Sequence, residues 1–110
     1  MSQIHCLIQA DGTAAGHEAE LEQRLRANHA AHFPGSDVEV AFRALEAGRM
    51  FTAGSASTSA VIGCTVDRTT TRSEREAYMR GVCDLWTEIT GCTDHEIVVS
   101  MSEPDDTHEE

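Results

Sequence analysis

Residues 60–101 read AVIGCTVDRTTTRSEREAYMRGVCDLWTEITGCTDHEIVVSM, and this stretch decides the fold. It begins with the apolar, β-branched run 60–67, which is typical of a buried strand. Ser73 and Glu76 form an S-x-x-E capping box, which predicts the start of a helix. Gly91 suits the position after that helix, and residues 96–101 form a second strand. The buried stripe of the helix is predicted from residues at helical spacing: Tyr78, Val82, Leu85, Trp86 and Ile89.

The first half of the chain repeats this order about sixty residues earlier. Residues 3–10 (QIHCLIQA) are almost continuously apolar, which indicates a strand covered on both faces. Residues 14–32 are rich in strong helix formers, and the helix carries Leu21, Leu25 and His29 on one face. Residues 37–45 (DVEVAFRAL) alternate, which predicts a strand with Val38, Val40 and Phe42 on the core.

Each half therefore predicts a βαβ unit, and the two units together predict a four-stranded sheet with both helices on one face. This is an α/β fold, or α+β in some schemes. One domain spans 1–104, with pseudo-repeats at about 2–50 and 60–102, and a disordered acidic tail at 105–110. Residues 46–59 form a connection with a short strand at 49–53. Because helices cover only one face, we expect a partner subunit on the other.

The charge balance is 8 basic against 19 acidic residues, a net charge of −11. This disfavours nucleic acid and anionic membranes as partners. No apolar run is long enough to span a bilayer, and the N-terminus has no signal-peptide pattern, so we expect a cytoplasmic protein. All eight basic residues are arginine. Lysine catalysis is thereby excluded, and the only amine of the chain is its N-terminus.

The four cysteines favour reduced, buried thiols: Cys6, Cys64 and Cys83 lie in apolar stretches. Cys92 with His95, and His29 with His32, each place two metal-ligand types three residues apart. Neither pair has the second element of a structural zinc site, so we expect no metal and no cofactor. A thiol or metal protein stays open as a minor hypothesis.

Several residues of this chain follow one another in an order and spacing that is found in a known protein family. They are a histidine late in the first helix (His29), the segment V-x-F-x5-G-x2-F-x2-G (Val40, Phe42, Gly48, Phe51, Gly54), two arginines after the third strand (Arg68, Arg72), and a final Glu103-Pro104. In this the chain resembles the tautomerase superfamily, relatives of macrophage migration inhibitory factor, and most closely its cis-3-chloroacrylic acid dehalogenase group. The resemblance implies a homotrimer with sheets wrapped into a barrel and active sites near subunit boundaries.

The resemblance also implies a site. The family uses an N-terminal proline exposed by loss of the initiator Met as its acid or base. Here Ser2 stands in that position, and removal of Met1 leaves a primary α-amine, whose ordinary pKa of about 7.7–8.0 suits proton transfer. Arg68 and Arg72 resemble the pair that binds the substrate carboxylate, and His29 resembles the histidine that holds the substrate. From the residues alone, Arg72 is equally an exposed side chain at a helix start, and His29 a structural histidine.

Other parts of the dehalogenase pattern differ. Its late-strand tyrosine is replaced near Ser100, and its water-activating acid lies beyond this chain. Glu103 is too early for that role, so we expect it to be a solvated strand end. Water addition is therefore not expected. Two main hypotheses follow: a tautomerase-like or lyase-like enzyme acting on a small 2-oxo acid, enol or unsaturated acid, and a non-catalytic or repurposed binding protein on the same fold.

Overall fold

A computed structural model describes residues 2–10, 14–45, 51–52, 55–56, 60–91 and 97–103. The elements, in chain order, are β1 (Ser2–Gln9), α1 (Glu18–His32), β2 (Val38–Leu45), β3 (Phe51–Thr52), β4 (Ser55–Ala56), β5 (Ala60–Thr65), α2 (Arg72–Thr90) and β6 (Ile97–Ser102). The predicted order of strands and helices is confirmed, with β3 and β4 added as a small hairpin. Of the expected strand at 49–53, the structure describes Phe51–Thr52, which are a strand. Residues 49, 50 and 53 and the 105–110 tail lie outside the described residues.

Four strands form one mixed sheet in the order β2-β1-β5-β6. β1 is parallel to β2, and β5 is parallel to β6, as two βαβ units require. The units join through an antiparallel pair, β1 with β5, so that Gln3 lies opposite Thr65. Consequently the start of β1 meets the ends of β5 and β6 at one end of the sheet, called here the Ser2 end.

Both helices pack on the same face of this sheet. The buried face of α1 is formed by Leu21, Leu25 and His29, as the helical spacing predicts. Tyr78, Val82, Leu85 and Trp86 form the corresponding face of α2. These side chains join one hydrophobic core with alternate residues of the central strands, which are Ile4, Cys6, Ile8, Ile62 and Cys64.

Among the described residues, neither helix packs on the opposite face of the sheet, which is called here the open face. The expectation that β1 is covered on both faces is wrong for the chain alone, because its buried and exposed residues alternate. An apolar row crosses the open face from Leu7 through Val61 to Val98, and Val98 is 53% exposed. The neighbouring rows carry polar side chains such as His5 and Ser100, both exposed.

Neither helix begins where the sequence predicts: α1 begins later and α2 begins earlier. α1 begins at Glu18, because Ala14 to Gly16 form a turn in which Gly16 has φ 91°. The capping box of α2 is Thr71 with Glu74, whose side chains each accept a bond from the other's backbone N–H. The prediction of Ser73 as the cap is therefore wrong, whereas Gly91 ends the helix with φ 74°, as expected. In the part of the chain that the structure describes, neither helix has the length and apolarity needed to cross a membrane.

Candidate functional site

The candidate site lies at the Ser2 end of the sheet. Ser2 is aligned with Val38 at the start of β2, while Thr65 and Ser102 end β5 and β6 at the same level. The Val66 amide donates to the Ser102 carbonyl oxygen at 3.0 Å, which continues the β5–β6 pairing past the last sheet residue. This topology places the first residue of β1 beside the loop of residues 66–71, called here the β5–α2 loop.

A direct contact joins Ser2 to this loop. The backbone N–H of Asp67 donates to Ser2 Oγ at 3.3 Å. Ser2 is only 1% exposed in the single chain, so its hydroxyl is held inside the fold. Arg68 follows Asp67 directly, and the sequence-predicted acid–base residue and carboxylate-binding residue are thus brought to the same place.

Arg68 is held from two sides. Its Nε lies 3.4 Å from Asp67 Oδ1, in a half-exposed ion pair. Its Cζ lies 5.3 Å from the ring centroid of Phe33, a cation–π contact that uses none of the guanidinium N–H groups. Desolvation raises the pKa of Asp67, but the hydrogen bond from Arg68, together with nearby positive charge, outweighs it and leaves that pKa below its ordinary value.

His29 lies behind Phe33, inside the core. It is 1% exposed, and its ring packs 5.2 Å from the ring of Phe33. Its Nδ1 is 2.9 Å from the Tyr78 hydroxyl and its Nε2 is 3.0 Å from Ser36 Oγ. Burial lowers the pKa of His29, the positive charge of Arg68 lowers it further, and the neutral ring is therefore the stable form.

The environment of His29 favours the structural alternative for this residue in the single chain. Both ring nitrogens are within hydrogen-bond distance of protein hydroxyls from two other elements, the Phe33–Ser36 turn and α2. Direct contact between His29 and a substrate stays a prediction. What the structure adds is a connected path from His29 through Phe33 to Arg68.

Arg72 is placed differently from the other three predicted site residues. It is the first residue of α2, and its side chain is 85% exposed. Its Nε donates to Glu76 Oε2 at 2.9 Å, an i,i+4 pair along the helix. In the single chain Arg72 thus has the position of an exposed helix-start arginine, and its part in a carboxylate clamp stays a prediction.

Glu103 is not a solvated strand end, and that expectation is wrong. It is 8% exposed and directly follows β6. Its Oε2 accepts from the Thr70 N–H at 2.9 Å, from the Thr70 hydroxyl in a short contact, and from Arg75 Nη1 at 3.2 Å. A carboxylate with that many donors is stable in a buried position, which strand periodicity alone does not reveal.

Cys6 and Cys64 are buried in the core, as expected, whereas Cys83 is only half-buried and packs against it. Burial raises the pKa of Cys6 and of Cys64 to about 12, so neither is a thiolate nucleophile near neutral pH. Among the described residues, no three His, Cys, Asp or Glu side chains are grouped as a metal ion requires. The Cys92–His95 pair lies outside those residues.

Sequence reasoning missed the partners of the site residues. The ring of Phe33 contacts the Arg68 guanidinium, and Ser36 Oγ lies within hydrogen-bond distance of His29 Nε2. Tyr78 was correctly placed in the core, but its bond to His29 spans 49 residues. Local spacing carries no signal for such a pairing, because the two residues lie on different helices that are brought together by tertiary packing.

Comparisons with solved structures identify the fold. The chain superposes on native Ps01740 with a TM-score of 0.85, 24% identity and 98% of each chain covered. It matches N1, a member of the cis-3-chloroacrylic acid dehalogenase family, with a TM-score of 0.84 at 17% identity over 98% of this chain and 79% of that one. A symmetric trimer of fused 4-OT gives a TM-score of 0.82 at 12% identity over 92% and 84%.

No family model matches the sequence. No curated protein matches it either. At these identities the likeness shows the fold, and the predicted tautomerase-like architecture of two fused βαβ units is confirmed.

Proposed function

We propose that this protein is an enzyme of the tautomerase type that moves a proton on a small carboxylate-bearing substrate, a 2-oxo acid, enol or unsaturated acid. The α-amine of Ser2, freed by removal of Met1, is the acid or base. Arg68 binds the carboxylate. The observation that carries the proposal is the bond from the Asp67 amide to Ser2 Oγ, which anchors the Arg68 loop beside the first residue of β1.

The chemistry needs an amine that is neutral for part of the time near pH 7. An N-terminal α-amine meets this condition, because its ordinary pKa is about 7.7–8.0 and burial lowers the pKa of a cation. Ser2 is buried at the start of β1. A general base in such a place takes a proton from a carbon next to a carbonyl and returns it at another carbon of the same conjugated system.

Arg68 supplies orientation. Its planar guanidinium matches a carboxylate through paired N–H donors, and the Phe33 ring supports it without occupying those donors. The ion pair with Asp67 is half-exposed, so an incoming carboxylate exchanges one anionic partner for another at little cost. Arg72 is the second arginine of the proposed clamp, and it needs to leave Glu76 to reach a substrate.

The assembly that we propose is a homotrimer, located in the cytoplasm. The apolar row Leu7–Val61–Val98 on the open face gives a subunit contact its centre. The fused 4-OT structure of the same fold is described as a symmetric trimer. An interface on the open face brings the sheets of neighbouring subunits together. The resemblance implies the same arrangement, with the active sites near the subunit boundaries.

An electrophilic probe tests the amine and the arginine together. Pt0534 is inactivated by 2-oxo-3-pentynoate in its solved structure, and its sequence is 20% identical to that of this chain. The Ser2 nitrogen adds to the alkyne carbon β to the ketone, a C–N bond forms, the amine proton moves to the α carbon, and nothing leaves. Mass spectrometry of the purified protein should show Met1 absent and one probe added, with peptide mapping placing it on Ser2.

Variants assign the role of Arg68. Arg68→Ala should slow labelling about tenfold or more, because a charged hydrogen bond contributes about 1.5–3 kcal/mol. Arg80→Ala, which removes an exposed arginine of α2, is the matched control and should label at the wild-type rate. With 3-pentyn-2-one, which lacks the carboxylate, Arg68→Ala and wild type should react alike. Retained Met1, labelling confined to cysteine, or an unchanged rate in Arg68→Ala contradicts the proposal.

A second candidate is a binding protein on the same fold, and it is favoured by the burial of His29, whose two ring nitrogens both lie within hydrogen-bond distance of protein hydroxyls. Such a protein binds carboxylates at Arg68 without moving protons. Proton NMR of 2-oxobutyrate in D2O separates the two. An enzyme exchanges the C3 protons faster than buffer does, whereas a binding protein gives ligand-binding signals that Arg68→Ala abolishes, with no added exchange.

A further inference from the structure

We propose that Glu103 is a positioning residue that fixes the β5–α2 loop, and with it Arg68, for carboxylate binding. The proposal rests on the function proposed above for Arg68. It deepens that function by assigning the group that sets the position of the guanidinium. Nothing in the sequence pattern of β6 pointed to this role, since a charged residue after a strand is ordinarily solvated.

The contacts of Glu103 converge on the loop and on the helix that follows it. Oε2 accepts from both the N–H and the hydroxyl of Thr70, and from Nη1 of Arg75. The same Arg75 nitrogen donates to the Thr70 carbonyl oxygen at 3.1 Å. The amide, the hydroxyl and the carbonyl of Thr70 are therefore all bonded to one ion pair, Glu103 with Arg75, which bridges the end of β6 and α2.

This arrangement fixes the loop at its second end. At the first end the Asp67 amide is bonded to Ser2 Oγ, and the Val66 amide to the Ser102 carbonyl. At the second end Thr70 is bonded to Glu103, which follows Ser102 directly. Only Arg68 and Thr69 lie between the two attachments, so the backbone that carries the guanidinium has little freedom to move.

Burial makes the attachment strong enough to position a neighbour. Glu103 is 8% exposed, and a buried carboxylate must keep its donors or leave an unpaired charge in the interior. A loop held by water-exposed bonds would exchange those bonds with solvent. Here water cannot easily replace the bonds to the buried Glu103 carboxylate, because breaking them leaves a charge unpaired in the interior. Arg68 is therefore kept in one position before substrate arrives.

Saturation kinetics of labelling by 2-oxo-3-pentynoate test the proposal. In Glu103→Gln and in Thr70→Val, the probe concentration for half-maximal labelling (KI) should rise about five- to tenfold, since a displaced arginine binds the carboxylate less well. The limiting rate (kinact) should stay within about twofold, because the Ser2 amine is untouched. Thr70→Ser keeps the hydroxyl and should restore the wild-type KI. Glu88→Gln removes an exposed carboxylate paired with Arg24 and serves as the control.

Two further readouts separate positioning from folding and from the proposed function. Labelling by 3-pentyn-2-one should not change in any of these variants, whereas a general loss of structure changes it. Amide hydrogen exchange at Asp67 should accelerate in Glu103→Gln and Thr70→Val relative to the amide of Val82 in mid-α2.

If the wild type is not labelled at Ser2, the proposed function fails, and accelerated exchange at Asp67 still shows that Glu103 holds the loop. If the wild type is labelled and KI is unchanged in both variants, or if Thr70→Ser behaves like Thr70→Val, the positioning role is overturned while the proposed function stands. Unchanged exchange at Asp67 in an unlabelled protein overturns both.

Discussion

We expect His29 to make the stability of this fold dependent on pH. Burial lowers its pKa from the ordinary value of 6.5, and both ring nitrogens are bonded in the neutral form. The unfolded chain therefore binds the proton more readily than the folded chain does. Stability that His29 contributes is fully present above pH 6.5 and is lost as the pH falls from there through the lower pKa of the folded state.

We expect the free energy of unfolding of the wild type to fall between pH 7.5 and 5.5 by at most about 1.4 kcal/mol per pH unit from this histidine. In His29→Gln the fall should be smaller over the same range, although the variant is less stable at both ends. His17→Gln replaces an exposed histidine and should keep the wild-type slope. Urea denaturation at fixed protein concentration measures all three, and parallel slopes in wild type and His29→Gln contradict the assignment.

For individual residues, the sequence predicted whether a side chain is buried better than it predicted which other side chains it bonds to. The i, i+4, i+8 spacing of Leu21, Leu25 and His29 correctly placed the histidine on the buried face of α1. It carried no information on Tyr78, which comes from α2. The misplacement of Glu103 has the same origin, since the donors that stabilise it lie 28 and 33 residues away in the chain.

The start of α2 shows how two local signals compete. Thr71-x-x-Glu74 and Ser73-x-x-Glu76 both fit a capping box, and the sequence offers no ground for choosing the first. The structure begins the helix at Arg72, because Thr71 has extended backbone (φ −82°, ψ 164°) immediately after Thr70 is fixed by Glu103. We infer that this tertiary contact, which the sequence does not reveal, favours the cap at Thr71.

Substitution of the two candidate caps distinguishes them. Thr71→Ala should lower the free energy of unfolding by about 0.5–2 kcal/mol, because the Glu74 N–H loses its side-chain acceptor. Ser73→Ala, at an exposed position inside the first turn, should change it by less than about 0.5 kcal/mol. Chemical denaturation of both variants at one protein concentration is the measurement. Equal losses in the two variants would be incompatible with the cap at Thr71.

For the whole molecule, the strand pattern predicted the topology but not the coverage of the sheet. Two repeated strand–helix–strand halves were enough to specify two βαβ units with both helices on one face. The continuous apolar run of β1 suggested that both faces are buried, whereas in the single chain His5 is exposed and Leu7 is half-buried. A sequence records that a face is apolar without recording whether helices or a second subunit covers it.

The oligomeric state therefore tests the assembly that we propose. Val98 is the most exposed member of the apolar row and lies on edge strand β6. Val98→Glu places a charge within the proposed sheet-to-sheet contact, where it has no partner and loses its hydration, so the trimer should dissociate at micromolar concentration. Ala77→Glu adds the same charge at an exposed position of α2 and should leave the trimer intact. Sedimentation velocity measures the masses. A wild type that sediments as a monomer contradicts the trimer itself. A trimeric Val98→Glu variant shows that the open face is not the contact, because an unpaired carboxylate does not persist inside a close-packed interface.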